Sequence, residues 1–154
     1  MKHYQKSLVL EAAPAIVYAA LATPAGLRGW WSQDSDIATD AGATHHFRFG
    51  RTWKDMRIDR LEPGREVQWT CTAAHIAAGN LARRDEWVGT RVVFRLLPDA
   101  HGRTLLEFEH IGLAPALQCY DLCSGGWRHY LDSLQKLVES GRGTPFVPVA
   151  AVAA

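Results

Sequence analysis

No stretch of this sequence approaches the ~18 consecutive apolar residues that a membrane span requires. The N-terminus, Met1-Lys2-His3-Tyr4-Gln5-Lys6, is polar where a signal peptide would carry an apolar core. A cytoplasmic protein is therefore the expectation. Long runs of one charge are missing too: 17 basic residues stand against 16 acidic ones, a net charge of +1, which argues against nucleic acid as the main partner. Cysteine is scarce. Cys71, Cys119 and Cys123 fit poorly with a disulfide framework, and two cysteines four residues apart on a helix are rarely bridged, so all three read as reduced thiols in the interior. Ser124 and Ser133 lie outside any Gly-x-Ser-x-Gly frame, and Gly125-Gly126 is followed by Trp127 without a lysine. Neither covalent serine catalysis nor a phosphate-binding loop is expected.

What the chain does have is tryptophan, six in 154 residues, and such large rings belong in the wall of a core or a pocket. It also has one long segment of helical spacing. From Pro115 to Gly141, apolar residues recur at Ala116, Tyr120, Cys123, Trp127, Tyr130, Leu131, Leu134 and Val138 in steps of three and four, while Gln118, Asp121, Arg128, Asp132, Gln135 and Glu139 form the opposite, solvated face. A helix with one apolar stripe needs a broad surface to lie on, and the residues before it read as strands.

Lys6 to Glu11 is a short β-type run. Pro14 then opens a helix through Leu21, which Thr23-Pro24 stops, and Thr23 caps a second short helix reaching Trp30-Trp31. Ser32 to Gly42 is a loop or short edge strand. Thr44 to Phe49 alternates with His45, Phe47 and Phe49 on one face, and Trp53 to Leu61 continues as a strand with Met56 and Ile58 on one side. The turn Glu62-Pro63-Gly64 leads to the clearest strand, Arg65 to Ala73, with Val67, Trp69 and Cys71 inward. Ala74 to Arg84 is a connecting loop. Asp85 to Leu97 reads as one long strand carrying Trp87, Val92, Phe94 and Leu96, and Pro98 to Gly102 turns it into Arg103 to Leu113, with Leu106, Phe108 and His110 on one face. Consecutive turns make the sheet mostly antiparallel. One domain over 1–143 is expected, followed by a flexible tail over 144–154, with no internal repeat.

Several residues carry possible chemistry, each with an ordinary structural alternative. His110, inward near a strand end, is either a proton-transfer group or a neutral core histidine bonded to a carbonyl or a tryptophan edge. It has no evident carboxylate orienter, because Glu107 and Glu109 fall on the other face. Cys119, Cys123 and His110 lack a fourth ligand for zinc, so no metal is assigned. His45 and His46 point to opposite faces of their strand, His46 at the surface and His45 inward. The adjacent glycines Gly125-Gly126 each cost about 1 kcal/mol relative to alanine inside a helix, which either close packing or a cavity must offset. No cofactor is indicated.

The ordered series Pro14 to Ala20, Trp30-Trp31, Glu62-Pro63-Gly64 with Val67 and Trp69, Trp87-Val88-Gly89-Thr90 with Phe94, Thr104 to Leu113, and Gly126-Trp127 with Leu131, Leu134 and Gly141 resembles the SRPBCC (START-like) superfamily. Within it the chain is similar to the heat-shock protein 90 ATPase-activator homologues, over about residues 4 to 143. The resemblance implies an α+β helix-grip fold: a curved antiparallel sheet wrapped around the C-terminal helix, with a cavity between them for an apolar or aromatic small molecule. The superfamily also includes lipid carriers, hormone receptors and aromatic polyketide cyclases. Chaperone activators carry an additional N-terminal domain for which this chain has no room, which counts against a co-chaperone role.

Residues placed to line such a cavity are Phe47, Phe49, Met56, Trp69, Cys71, Trp87, Phe94, Phe108, His110, Cys123, Trp127 and Tyr130. The leading reading is a binding module for a hydrophobic small molecule, with no evident catalytic set. One alternative is cyclase or dehydratase chemistry with His110 or Tyr130 moving a proton, a reading that loses its support if a His110→Gln variant keeps turnover. Another is an interaction module for a chaperone or other protein, although the assignable outer residues, among them Glu66, Gln68, Thr70, Arg91 and Arg95, are mostly polar. Leu105 and Ile111 share that outer face and leave monomer and homodimer both open.

Overall fold

In the computed structural model, which describes residues 3–148, β1 (Tyr4–Leu10) is followed by two helices that proline starts and threonine separates. Pro14 opens α1 (Pro14–Ala22) and Pro24 opens α2 (Pro24–Trp30), each at a first-turn position where a missing N–H costs nothing. Thr23 ends the first helix and caps the second, its Oγ1 accepting the Gly26 N–H at 3.0 Å. The two helices touch backbone to backbone. A side chain at Gly26 would put its Cβ 2.4 Å from the Ala19 carbonyl oxygen, so this corner requires glycine.

The remaining strands are β2 (Ser35–Asp36), β3 (Thr44–Phe49), β4 (Thr52–Glu62), β5 (Glu66–His75), β6 (Arg91–Pro98) and β7 (Thr104–Ile111). They form one seven-stranded antiparallel sheet in the order β1-β7-β6-β5-β4-β3-β2. Register shifts between Asp55 and Met56 and between Ile58 and Arg60 interrupt the β4–β5 ladder. Irregularities of this kind increase twist and bend the strands, as a sheet that curves around a helix requires. The helix is α3 (Tyr120–Ser140), which buries Cys123, Ser124, Trp127, Leu131, Ser133 and Leu134 and ends on Gly141 at φ 89°, the left-handed conformation that glycine adopts without steric cost. This is the helix-grip architecture expected from the sequence.

Two boundaries differ from the expectation by five residues or more. The long helix begins at Tyr120, five residues after Pro115, because residues 114–119 turn before they coil. Their free amides meet a residue from elsewhere in the chain: the Glu86 carboxylate accepts the N–H groups of Gln118 and Cys119 at 3.2 and 3.1 Å. The strand expected from Asp85 begins only at Arg91. Between them Val88 N–H reaches the Asp85 carbonyl, Thr90 N–H the Trp87 carbonyl, and Gly89 takes φ 88°, which no strand permits.

The chain after Gly143 also departs from a free tail at its start. Thr144 N–H donates to Ser133 Oγ at 2.7 Å, Phe146 N–H to the Trp31 carbonyl at 3.0 Å, and Gln33 N–H to the Phe146 carbonyl at 2.9 Å. The rest of the expected flexible tail, 149–154, lies outside the described residues.

Candidate functional site

Strand alternation decides what β4 sends inward. Met56 and Ile58 are buried, and two residues before Met56 in the same phase stands Lys54, so a lysine points toward α3. Its ammonium meets aromatic faces: Nζ lies 3.9 Å from the ring centre of Trp87, 4.6 Å from that of Phe49 and 5.6 Å from that of Trp31. Cation–π attraction of this kind offsets part of the desolvation. The other charges acting on Lys54 come from Cys123, Cys71 and Cys119, and no carboxylate faces it among the described residues. Loss of water around an unpaired ammonium lowers its pKa to about 8. At neutral pH it still carries its charge.

Lys54 lines a cavity of about 230 Å³ between the sheet and the first half of α3. Trp31, Trp87 and Trp127 form its aromatic wall. Trp31 lies nearly parallel to Trp127 at 5.2 Å, and Trp127 to Trp87 at 5.9 Å, while Trp30 and Trp69 extend the stack behind Trp31 at 5.7 and 5.6 Å. The lining also includes Phe49, Tyr130, Cys123, Thr52, Ile76 and Ala78. Leu122, exposed on the helix, and Gly126 complete it. A Cβ added at Gly126 would meet nothing within 4 Å, and one at Gly125 only the end of the Arg128 side chain at 3.5 Å. Of the two explanations for this glycine pair, Gly126 therefore follows the cavity and not close packing.

Trp87 is held by the turn that replaced the expected strand. Gly89 N–H donates to the Cys71 carbonyl at 2.8 Å, Thr90 Oγ1 donates to the Trp87 carbonyl at 2.6 Å, and Trp87 Nε1 donates to Cys123 Sγ at 3.1 Å. The Cys119 thiol one helical turn away, then the Lys54 ammonium and that indole N–H, outweigh burial and favour a thiolate on Cys123, whose pKa is lowered to about 7. Burial pushes Cys71 up to about 12, and Cys119 is held in its thiol form by Cys123. Near neutral pH, iodoacetamide is expected to alkylate Cys123 well before Cys71 or Cys119, with peptide mass mapping as the readout.

His110 is fully buried and both its nitrogens are committed. Trp127 Nε1 can only donate, so Nδ1 accepts at 2.9 Å; Nε2 then carries the proton toward Thr90 Oγ1 at 2.8 Å, and Thr90 passes its own proton to the Trp87 carbonyl. The direction of every bond follows from the indole. Burial lowers the His110 pKa to about 3, and its partners leave no lone pair for a metal or a substrate. His45 is likewise buried, accepts the Ala38 N–H on Nδ1 at 3.0 Å and has its pKa lowered to about 4 by desolvation. His46 pairs with Asp55 at the half-buried edge.

Of the residues placed in a cavity from sequence, Phe49, Trp87, Cys123, Trp127 and Tyr130 line it. Phe47, Met56, Trp69, Cys71, Phe94, Phe108 and His110 instead close the core behind it, none of them reaching the cavity surface. Sequence reasoning passed over Trp31, read only as a helix end, and Lys54. The signal for Lys54 was its phase with Met56 and Ile58.

The sequence profile described as activator of Hsp90 ATPase homolog 1-like protein matches residues 11–139. A solution structure of an Aha1 dimer from Colwellia psychrerythraea is 29% identical, with a TM-score of 0.77 over 93% of this chain and 100% of that one. A protein of Mesorhizobium loti is 20% identical with a TM-score of 0.68, over 87% of this chain and 96% of the other. DynU16, a putative protein in the dynemicin biosynthetic locus, shares the fold at 18% identity and a TM-score of 0.67, over 90% of this chain and 48% of its own. No curated protein matches the sequence.

Proposed function

The chain belongs to the activator of Hsp90 ATPase homolog 1-like family, and we propose that it acts by binding a small apolar or aromatic molecule in the cavity between the sheet and α3. The observation that carries this reading is the convergence of Trp31, Trp87 and Trp127 on open space that Gly126 leaves unfilled. A core under selection for stability alone would place alanine or leucine there, since glycine inside a helix costs about 1 kcal/mol. At about 230 Å³ the cavity falls below the roughly 300–1,000 Å³ of drug-sized pockets, which fits a molecule of one or two rings.

Screening such molecules by thermal shift tests the reading. The native protein is expected to gain melting temperature with at least one class of compound. Gly126→Leu, whose Cβ would meet nothing within 4 Å and whose side chain enters the cavity, is expected to melt about 2–4 °C higher on its own and to lose the ligand response. A ligand response that survives Gly126→Leu would place the ligand elsewhere. In the cyclase-type alternative the proton-transfer role passes from His110 to Tyr130, which lines the cavity and whose phenol burial holds above its ordinary pKa.

A homodimer is a second reading, favoured by a specific pattern. Val9, Leu105 and Leu97 stand opposite one another across β1, β7 and β6 and form an apolar row on the outer face, Val9 and Leu97 being half exposed. The similar Colwellia psychrerythraea protein is described as a dimer. Light scattering is expected to give a dimer mass that Leu105→Glu converts to a monomer mass.

A further inference from the structure

We propose that the ligand of this cavity is an anion: a one- or two-ring aromatic carboxylate whose carboxylate pairs with Lys54 Nζ while its ring lies against the tryptophan wall. This rests on the cavity being a binding site, and adds the charge of what it binds.

Several surface cations of this protein have carboxylate partners. Arg48, Arg57, Arg60, Arg95 and Arg103 each sit beside an aspartate or glutamate. Lys54, part-buried with its ammonium against aromatic faces, has none among the described residues. Its contacts are the faces of Trp87, Phe49 and Trp31, and the titratable groups acting on it are the thiols of Cys123 on α3, of Cys71 on β5 and of Cys119 at the N-cap of α3. A lysine is almost never enclosed without a counter-ion, because desolvation outweighs what aromatic faces return.

Cys123 does not fill that role well. Its sulfur already accepts from Trp87 Nε1 at 3.1 Å, and its charge is only partial near neutral pH. A carboxylate entering the cavity supplies the missing full charge in a low-dielectric setting, where such a pair is strong. Tyr130 provides a second polar group in the same lining, a hydroxyl shifted by burial alone. One cation and the hydroxyls of Tyr130 and Thr52, the latter already accepting the Ala77 N–H, suit a monoanion with two oxygens. Most of the remaining lining is apolar and aromatic, which suits a flat ring, and a single cation suits a single negative charge.

The alternative use of such a lysine, imine formation with a carbonyl compound, needs a neutral amine and a group to carry protons as water leaves. Lys54 is mostly protonated at neutral pH, His110 has both nitrogens bonded inside the core, and burial holds the Tyr130 phenol above its ordinary pKa, so the cavity favours an ion pair over an imine.

The test compares 2-naphthoate with 2-naphthamide, which share shape and differ in charge, by calorimetric titration into the native protein and into Lys54→Met. The native protein is expected to bind naphthoate about tenfold or more tighter than naphthamide. In Lys54→Met that preference is expected to vanish while naphthamide affinity stays within about threefold of native, as it must if only the ion pair is lost. Equal binding of both probes by the native protein overturns the proposal of charge and leaves the cavity reading standing. A preference for naphthoate that persists in Lys54→Met places the anion site elsewhere and overturns it as well. Binding of neither probe by the native protein overturns the proposal as well, while the cavity reading is judged by the thermal-shift screen.

Discussion

Lys54→Met is expected to make the protein more stable by about 1–3 kcal/mol at neutral pH. Most single substitutions destabilise, so the sign itself is diagnostic. Enclosing the ammonium among Trp31, Phe49 and Trp87 without a carboxylate lowers its pKa from 10.5 to about 8. One pKa unit corresponds to about 1.4 kcal/mol, so the charged form costs the folded state about 3 kcal/mol at most, before the cation–π contribution that methionine gives up. Methionine keeps the length of the chain and packs well against aromatic rings.

The pH dependence has a definite direction. Below pH 8 both the folded and the unfolded wild type hold the Lys54 proton, and the full penalty applies. Between pH 8 and 10.5 the unfolded chain still holds it while the folded protein has released it, so the wild type gains stability with rising pH. The advantage of Lys54→Met should be flat below pH 8 and shrink toward zero near pH 10.5. Urea denaturation at several pH values measures this, and a variant no more stable than wild type at neutral pH would show that the ammonium is not desolvated. Together with Gly126, whose missing side chain also lowers helix stability, Lys54 makes the cavity the place where this fold gives up stability, the pattern expected where function constrains sequence.

These two residues also show what was legible in the sequence. The fold was, because period-two strands, the turn Glu62-Pro63-Gly64 and the stripe on α3 are local signals that agree with one another. The start of α3 was not, because Glu86, more than thirty residues away, accepts the amides of Gln118 and Cys119. The strand start at Arg91 was hidden by the alternation around Trp87, although Gly89 carried the warning of a positive φ.

Among the inward aromatics, sequence periodicity tells which face a residue occupies and not whether that face meets a helix side chain or open space. Phe94 and Phe108 sit on inward faces as Phe49 does, but they pack on each other at 5.1 Å, and Phe108 on Trp127 at 4.6 Å, while Phe49 borders the cavity. Lys54 was passed over because a lysine in a strand is ordinarily read as solvated. Its inward phase becomes visible only when Met56 and Ile58 are taken as fixing the face.

The second large effect concerns acid. His110 and His45 are both held neutral by burial, with pKa values lowered to about 3 and about 4, whereas in the unfolded chain each titrates near 6.5. As pH falls through 6.5 the unfolded state takes up two protons that the folded state refuses, so stability declines at up to about 1.4 kcal/mol per pH unit for each histidine. By pH 4 the loss is expected to reach about 3–6 kcal/mol, a large part of the 5–15 kcal/mol that holds a typical domain together. Carboxylates with depressed values, such as Asp36 and Asp99, act lower, near and below their ordinary range.

Substitutions at His110 separate its charge from its hydrogen bonds. Glutamine can accept from Trp127 Nε1 through its carbonyl and donate to Thr90 Oγ1 through its amide, so His110→Gln should keep most of the neutral-pH stability and flatten the decline between pH 6.5 and 4 by about half. Leucine can do neither. In His110→Leu the Trp127 indole and the Thr90 hydroxyl lose their partner on the histidine, with an expected loss of about 2–4 kcal/mol at all pH values. Denaturation of the two variants across this range distinguishes a structural histidine from one that exchanges protons with a ligand. If His110→Gln left the acid decline unchanged, His110 would not be the neutral bridge between Trp127 and Thr90 that positions the cavity wall.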